Sequence, residues 1–346
     1  MCSESFYKIY EKIPWNQLQN KRVLITGASG MIGSTLIRAL MEYNREKNGN
    51  IQVVGLSRNL ETAKVQLQDI MDMPKFTYVS TDINCPLGDM GYFDYMIHCA
   101  SNTHPRQYSG DPIGTIMTNV LGTKNLLDYA AEHGVGRFVF LSSVEVYGEN
   151  RGDVEVFSED YLGYIDCNTL RSGYPEGKRL GESMCNAYAK EKGIDFVIPR
   201  LSRTYGPALL GTDSKAISQF IHKAASGENI VLKSKGDQLF SYTYSDDAVA
   251  AILMIMLEGN SGEAYNVSDA DSSITLADLA GILADIAGTK VIFELPDEVE
   301  RAGYSTATKA VLDASKLEKL GWKAKVHMRE GLERTVDFIK VRGINK

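Results

Sequence analysis

Apolar runs of strand length alternate with amphipathic helical patterns through the first two hundred residues. The first run, Val23 to Thr26, is followed by a pattern with apolar residues on one helical side. Short, continuously apolar runs are typical of strands buried on both faces of a parallel sheet, which needs helical crossovers between its strands. The pattern therefore predicts an α/β fold with a doubly wound parallel sheet. Later strands are predicted over Ile51 to Arg58, Phe76 to Asn84, Asp94 to Ser101 and Arg137 to Gly148.

The first strand leads into a glycine-rich turn with glycines at Gly27, Gly30 and Gly33, and we predict that a helix begins near Met31. The first N–H groups of a helix lack carbonyl partners and carry partial positive charge. Backbone without Cβ atoms can therefore approach a pyrophosphate there. Strand, turn and helix in this order predict a dinucleotide site. The alternative interpretation is a strand–helix turn that binds no ligand.

Further candidate cofactor contacts follow the later strands. Arg58 pairs with a 2′-phosphate, stacks on adenine or is a solvated cation, so both NAD and NADP stay open as cofactors. Asp82 accepts a hydrogen bond from the adenine amino group or caps its own turn. Ala100 and Ser101 are small enough for close approach of a cofactor. Asn119, inside a helix predicted over residues 115–132, faces solvent or fixes backbone near the site.

Hydroxyl, carboxylate, phenol and ammonium groups come together in two later segments. Ser143 and Glu145 lie at the end of the fifth predicted strand, where ligands bind in open α/β sheets. Tyr174 and Lys178 are four residues apart and share a helical face. A lysine ammonium and an oxidised nicotinamide both favour the phenolate. Tyr174 would then accept the proton of a substrate hydroxyl as hydride leaves the same carbon.

Composition narrows the classes of function. The 346 residues carry a net charge of −7, which argues against nucleic acid as a partner. The longest apolar run, Ala248 to Leu257, is too short to span a bilayer, so we predict a core helix and no membrane partner. The five cysteines show no C-x-x-C spacing and the histidines do not cluster. We therefore expect no metal site, no disulfide framework and reduced thiols in the cytoplasm.

Several spaced motifs together resemble the extended short-chain dehydrogenases/reductases of the nucleotide-sugar epimerase/dehydratase family. They are TGASGMIG, STDIN, IHCAS, TNVLGT, SSVEVYG, YPEGK, RTYGP and SGEAYNVSD. The resemblance implies a Rossmann domain over residues 1–200 that also receives about 243–268. It further implies a smaller, mainly C-terminal substrate-binding lobe over 201–242 and 269–346. NAD, a nucleoside diphosphate sugar and a homodimer through a four-helix bundle of helices 115–132 and 174–192 are implied as cofactor, substrate and assembly.

The same resemblance assigns residues to roles. Ser143, Tyr174 and Lys178 would form the redox triad, and Glu145 would act at C5 of the sugar. The implied substrate contacts are Ser143, Arg203, Lys233 and Phe240, while Lys309 either meets the nucleotide or is a surface lysine. The implied cofactor contacts are Gly27, Ser29, Gly30, Met31, Ile32, Gly33, Arg58, Asp82, Ile83, Ala100, Ser101, Asn119, Tyr174 and Lys178.

The motif after the fifth strand separates the reactions known in this family. The 4,6-dehydratases carry Thr-Asp-Glu where this chain has Ser143, Val144 and Glu145, and a valine cannot protonate a departing hydroxyl. The 4-epimerases usually lack the carboxylate. The UDP-glucuronate decarboxylases carry hydroxyl-x-Glu, so the resemblance favours decarboxylation through a 4-keto sugar. A UDP-sugar 4-epimerase is the alternative, followed by a 4,6-dehydratase, and a non-catalytic nucleotide sensor is disfavoured.

Two positions depart from the decarboxylase pattern. Arg203 stands where that group has asparagine, and Phe240 stands where an arginine grips the diphosphate. We hypothesise that Arg203 compensates by contributing a cation from the opposite wall of the site. The alternative is that the ligand sits differently.

Overall fold

The computed structural model describes residues 8–103, 110–294 and 308–343. A large parallel sheet dominates the first part of these ranges. Strands in the whole described structure are β1 (Arg22–Thr26), β2 (Gln52–Ser57), β3 (Phe76–Ser80), β4 (Tyr95–His98), β5 (Arg137–Phe140), β6 (Ser142–Ser143), β7 (Phe196–Leu201), β8 (Arg203–Tyr205), β9 (Ile230–Leu232), β10 (Leu239–Tyr244), β11 (Ala264–Val267), β12 (Ser273–Thr275), β13 (Val291–Phe293) and β14 (Lys309–Ala310).

Helices connect these strands. They are α1 (Met31–Lys47), α2 (Leu60–Gln66), α3 (Pro112–Met117), α4 (Thr123–His133), α5 (Gly173–Lys192), α6 (Ala216–Ala225), α7 (Ser245–Glu258), α8 (Leu276–Ala287), α9 (Ser315–Glu318) and α10 (Met328–Arg342). Among the described residues, none of the helices is both long enough and apolar enough to cross a bilayer.

The order of strands in the large sheet is β3-β2-β1-β4-β5-β7-β11, with β6 beside β7. The pairings along this order are parallel, as the buried runs predict. The doubly wound α/β fold is thereby confirmed. Chain order reverses between β1 and β4, and in such sheets a crevice for ligands opens beyond the carboxyl ends of the strands at this point. The turn after β1 and the strand end after β5 both lie at that edge.

A second sheet, in the order β12-β10-β14 with β8 paired to β10, and a β9–β13 pair complete the strands. Helix α7 is buried on nearly all sides and packs against α1, β7 and β10. The predicted core helix at Ala248 to Leu257 is therefore present. The predicted domain limits at 200/201 and 242/243 fall inside β7 and β10, and the division into two domains stays a prediction.

Two predicted elements are interrupted in the structure. The fifth strand stops at Phe140, skips Leu141, resumes as β6 and gives way to a 3-10 helix over Val144–Tyr147. The helix predicted over 115–132 contains a π-helical segment, Thr118–Gly122, between α3 and α4. The Asn119 amide donates to the Thr115 carbonyl at 2.9 Å, and side-chain bonding of this kind competes with the helical ladder. Both interruptions lie beside the ligand-binding edge of the sheet.

Helix α1 packs closely against the turn before it, and this packing yields a test. A Cβ at Gly33 would lie 2.2 Å from the Gly27 carbonyl oxygen, so Gly33→Ala forces backbone to move. We expect the free energy of unfolding in urea to fall by about 1 to 3 kcal/mol. The matched control is Gly281→Ala in α8, where a Cβ meets nothing within 4 Å and alanine favours the helix by up to about 1 kcal/mol. Equal effects of the two substitutions would contradict the packing argument.

Candidate active site

The turn between β1 and α1 forms part of the wall of a cavity of about 1650 Å³. Gly27 has φ +69°, and a Cβ there would lie 2.9 Å from the Ala100 nitrogen. Gly30 is the N-cap of α1 and supplies no side-chain hydrogen bond to the first turn. That first turn, beginning at Met31, carries no acidic side chain. The helix therefore presents its positive end and open N–H groups at the cavity, as an anion site requires.

All but two of the predicted contact residues line this cavity, and the exceptions are Asn119 and Lys309. Asn119 is buried behind the wall, where its Oδ1 accepts a hydrogen bond from Ser101 Oγ at 2.8 Å. A Cβ at Gly177 of α5 would lie 2.8 Å from the Asn119 Cβ, so α5 packs directly on it. Of the two interpretations of Asn119, the structure supports the one in which it fixes backbone near the site.

The predicted adenosine contacts lie at the mouth of the cavity. Arg58 is exposed there. Asp82 also lines the cavity, and its Oδ1 accepts the Asn84 N–H at 3.0 Å, so it caps its own turn. The turn-capping role and a role toward the ligand are therefore compatible in Asp82.

Tyr174 and Lys178 both line the cavity from the first turns of α5. Lys178 is only 3 % exposed, and its Nζ donates to the Leu141 carbonyl at 2.8 Å. This carbonyl is available because Leu141 lies in the break between β5 and β6. Burial lowers the pKa of Lys178 to about 8. The Lys178 ammonium therefore lies next to the end of the strand that carries Ser143.

One turn further along α5, Glu182 fastens the helix to the sheet. It accepts a hydrogen bond from Ser142 Oγ at 2.5 Å and pairs with Arg200 of β7 through both carboxylate oxygens, at 3.0 and 2.6 Å. Arg200 also donates to the Tyr147 hydroxyl at 2.9 Å. Because bidentate pairs fix geometry as well as distance, this network sets the height of α5 against β6.

A buried histidine, which the sequence analysis does not single out, links β1 to the helix wall. His98 Nδ1 lies 2.9 Å from Thr26 Oγ1, and Nε2 lies 3.1 Å from Thr123 Oγ1. Thr123 donates its own proton to the Asn119 carbonyl, while Thr26 accepts the Ala100 N–H. Because the Thr123 proton is already donated, Thr123 Oγ1 accepts from the ring, which places a proton on Nε2. Burial, with the nearby Lys178 charge, holds the pKa of His98 well below its usual value.

Ser143 and Glu145 occupy the turn after β6. Ser143 Oγ accepts the Glu145 N–H at 3.3 Å and opens the 3-10 helix. The Glu145 carboxylate has one guanidinium on each side, with Arg171 Nη2 at 3.9 Å and Arg203 Nη2 at 3.8 Å. Arg171 is missed by the sequence analysis, although a basic residue three positions before Tyr174 was the available signal. Both distances exceed hydrogen-bonding range.

Arg203 and Phe240 do not lie on opposite walls, so this part of the hypothesis is wrong, and compensation by Arg203 stays a hypothesis. They belong to the paired strands β8 and β10, whose register places Arg203 beside Tyr242 and diagonal to Phe240. The Arg203 Cζ lies 3.5 Å from the centre of the Phe240 ring. A diagonal neighbour on one sheet face is within reach of a long side chain. The two departures from the decarboxylase pattern therefore form one stacked pair.

The two predicted lysine contacts are placed differently. Lys233 lines the cavity just beyond β9. Lys309 does not line it and instead pairs with the exposed carboxylate of Glu155. Of the two interpretations of Lys309, the structure supports the surface lysine.

The fold and the cavity define a dinucleotide-dependent enzyme of the Rossmann class. Residues 23–268 match the model of the NAD dependent epimerase/dehydratase family. UDP-glucuronic acid decarboxylase 5 of Arabidopsis thaliana is 32% identical over 332 residues, covering 94% of this chain and 92% of the relative. A dTDP-glucose 4,6-dehydratase of Streptomyces antibioticus is 30% identical, covering 92% of each chain. The chain belongs to the NAD dependent epimerase/dehydratase family.

A solved structure supports the same assignment. The dTDP-glucose 4,6-dehydratase of Streptomyces venezuelae, determined with NAD bound, has a TM-score of 0.79 and 26% identity, covering 93% of this chain and 98% of its own. The residues of this chain fit the cofactor. The open N-terminus of α1 suits a pyrophosphate, and a Cβ at Gly27 would fill the space against Ala100. The protein is therefore an NAD-dependent enzyme.

The burial of Lys178 predicts a measurable cost to the fold. Burial lowers the pKa of Lys178 from 10.5 to about 8, so at neutral pH the buried ammonium should cost about 3 kcal/mol. Loss of its hydrogen bond should return about 1 kcal/mol of this. We expect Lys178→Met to raise the free energy of unfolding by about 2 kcal/mol at pH 7.

The stability difference between Lys178→Met and the wild type should depend on pH. Between pH 8 and 10.5 the folded protein releases the Lys178 proton before the unfolded chain does, so the wild type gains stability as pH rises. The advantage of Lys178→Met should therefore shrink over that range in denaturation curves. Lys190→Met, at an exposed position of the same helix, should be neutral throughout. If Lys178→Met is less stable than the wild type at pH 7, the predicted cost of the buried ammonium is wrong.

Proposed function

We propose that this protein decarboxylates a UDP-linked glucuronate through a transient 4-keto sugar. One observation carries the choice among family reactions: Ser143 and Glu145 reach the cavity, and only the apolar Val144 lies between them. A 4,6-dehydration requires an acid for the departing hydroxyl, and valine supplies none. Loss of CO2 from a 4-keto sugar needs no such acid. The similarity to UDP-glucuronic acid decarboxylases supports the same choice.

The cofactor would be held by the α1 N-terminus and the wall around it. Gly27, Gly30 and Gly33 give the backbone its close approach, and Asp82 and Ser101 contribute polar groups nearby. NAD, when bound, supplies a hydride acceptor for the sugar carbon and returns the hydride at the end of the cycle. Everything else falls to side chains of this chain.

Tyr174 would handle the C4 proton. The Lys178 charge lies one helical turn away and favours the phenolate, which accepts the C4 hydroxyl proton as the carbon is oxidised. Ser143 would donate a hydrogen bond to the same oxygen. On reduction of the ketone, Tyr174 returns the proton.

The 4-keto sugar is a β-keto acid, so the C5–C6 bond can break with release of CO2. The bonding electron pair moves into an enolate whose charge rests on the C4 oxygen. Tyr174, now protonated, and Ser143 stabilise that oxygen by hydrogen bonds. A proton from water is then added to C5, and Glu145 is the group we assign to relay it.

A 4-epimerase of a UDP-sugar is the second candidate. It is favoured by the placement of Glu145 between Arg171 and Arg203, because a carboxylate flanked by two cations can serve as a polar contact alone. The same Ser143, Tyr174 and Lys178 would perform both reactions. The two reactions differ in the face of C4 to which the hydride returns and in the fate of the C6 carboxylate.

We also propose a homodimer through the helices over 115–132 and 174–192. Support comes from apolar side chains exposed on α3 and α5, which contact one another. Ile113 is 74 % exposed, Met117 is 41 % exposed and Leu180 is 45 % exposed. The cytoplasm is the proposed location, supported by the free thiols of Cys85, Cys99, Cys167 and Cys185.

Tyr174→Phe tests the proton acceptor. We expect kcat for CO2 release from UDP-glucuronate to fall at least about 100-fold, since a positioned acid–base group contributes about 10² to 10⁴. Tyr92→Phe, at a half-exposed tyrosine outside the cavity wall, should keep wild-type turnover. Full activity of Tyr174→Phe would overturn the mechanism.

Glu145→Gln separates the two candidate reactions. A decarboxylase that uses Glu145 to deliver the C5 proton should lose about 100-fold in turnover, whereas an epimerase should be nearly indifferent. Products are identified by mass spectrometry and NMR. Conversion of UDP-glucuronate to its C4 epimer without CO2 would establish the epimerase, and inertness toward UDP-, dTDP-, CDP- and GDP-sugars would refute both.

Leu180→Glu tests the dimer. A charge at this apolar position should shift the protein to monomers, as measured by sedimentation equilibrium at micromolar concentration. Val341→Glu in α10, at a residue that is 88 % exposed, should leave the mass unchanged. A wild-type monomer would contradict the proposed assembly.

A further inference from the structure

Arg203 lines the cavity, and neither the family pattern nor the proposed proton transfers account for it. We infer that Arg203, held flat against Phe240, binds the C6 carboxylate of the sugar and so makes this enzyme selective for hexuronates over neutral sugars. This inference rests on the proposed function, because it assigns the substrate class of the same cavity. It replaces the hypothesis that Arg203 grips the diphosphate.

The position of Arg203 favours a contact with the C6 carboxylate. Arg203 Nη2 lies 3.8 Å from Glu145 Oε1, and Glu145 follows Ser143 by two residues in one 3-10 turn. Ser143 is assigned to the C4 oxygen, and Glu145 is assigned to C5. The C6 carboxylate is bonded to C5, whereas the diphosphate hangs from C1 across the ring. The guanidinium is therefore next to the part of the sugar that bears the carboxylate.

The charged groups around Arg203 also favour an anionic ligand. Two guanidinium groups, those of Arg171 and Arg203, lie within 4 Å of the single carboxylate of Glu145. A second carboxylate, supplied by the ligand, would be attracted to this place. The Arg203 guanidinium lies beyond hydrogen-bonding distance of Glu145, so an incoming carboxylate can take its N–H groups without breaking a bond between these two residues.

The hydrogen bonding and stacking of the Arg203 guanidinium favour a bound carboxylate as well. Its Nη1 is buried and has no hydrogen-bond partner among the described residues. An unmet buried donor costs about 1 to 3 kcal/mol, which a small shift toward a bound oxygen recovers. Stacking on Phe240 at 3.5 Å covers one face of the guanidinium and leaves its edge for ligands. The planar fork of arginine matches a carboxylate through two parallel hydrogen bonds.

The interaction has a consequence for catalysis. CO2 leaves without the charge that Arg203 binds, so the contact is stronger in the bound substrate than in the transition state. Removal of the contact should therefore raise KM for UDP-glucuronate without lowering kcat, and kcat should rise where loss of CO2 limits the rate. A residue with a purely structural role would not produce this split.

The test measures dissociation constants by calorimetry with NAD-loaded protein that carries Tyr174→Phe to block turnover, for UDP-glucuronate, UDP-glucose and UDP. We expect Arg203→Gln to weaken UDP-glucuronate about 10- to 100-fold, as for hydrogen bonds to charged groups, and to leave the other two within about twofold. Arg203→Lys keeps the charge without the fork and should fall between. Arg329→Gln, at a half-exposed arginine of α10, is the matched control.

Each result decides the inference. Equal weakening of all three ligands would show that Arg203 grips the diphosphate, and unchanged UDP-glucuronate affinity would show that it grips neither group. Either result overturns the inference. Retained UDP binding also shows that the variant is folded. Because binding is read without turnover, selective loss of UDP-glucuronate affinity stands even if no CO2 is released and the proposed reaction fails.

Discussion

The interaction on which the rest of the site depends is the hydrogen bond between the buried Lys178 ammonium and the Leu141 carbonyl. It exists because the sheet is broken at Leu141, which frees the carbonyl, and because Glu182 and Arg200 fix α5 at the right height. One neutral carbonyl does not replace the hydration of an ammonium. The fold therefore carries a charge that weakens it, one turn from a tyrosine in a cofactor cavity. Such placements are typical of catalytic groups.

The sheet explains why groups distant in sequence meet there. The glycine turn follows β1, the small residues follow β4, and Ser143 follows β5, so that parallel strands deliver them to one edge. The second sheet then supplies Arg203 and Phe240 from β8 and β10. In the proposed function the first sheet would provide oxidation and proton transfer, and the second sheet would provide recognition of the sugar. Such a separation is expected of a fold that serves many reactions through changes in its substrate-binding part.

Local sequence patterns predict the cofactor side of the site, on the first sheet, well. They predict the substrate side, on the second sheet, poorly. Apolar runs, the glycine spacing and the Tyr174–Lys178 interval are short-range features, and each corresponds to an element or a cavity wall in the structure. The break at Leu141 and the π-helical segment at Asn119 depend on partners far along the chain, so periodicity alone misses them. Arg203 and Phe240 are 37 positions apart, and only the register of β8 on β10 shows that they stack. His98 escapes notice because its partners, Thr26 and Thr123, come from separate elements.

Reversible oxidation at C4 within one active site is the claim on which the catalytic proposal stands or falls, and an isotope measurement tests it directly. UDP-glucuronate labelled with deuterium at C4 is converted by the NAD-loaded enzyme, and the product is examined by NMR. Removal and return of hydride in a single closed cycle predicts that the deuterium remains at C4 of the product. Loss of the label to solvent, or dilution by unlabelled hydride, would contradict it.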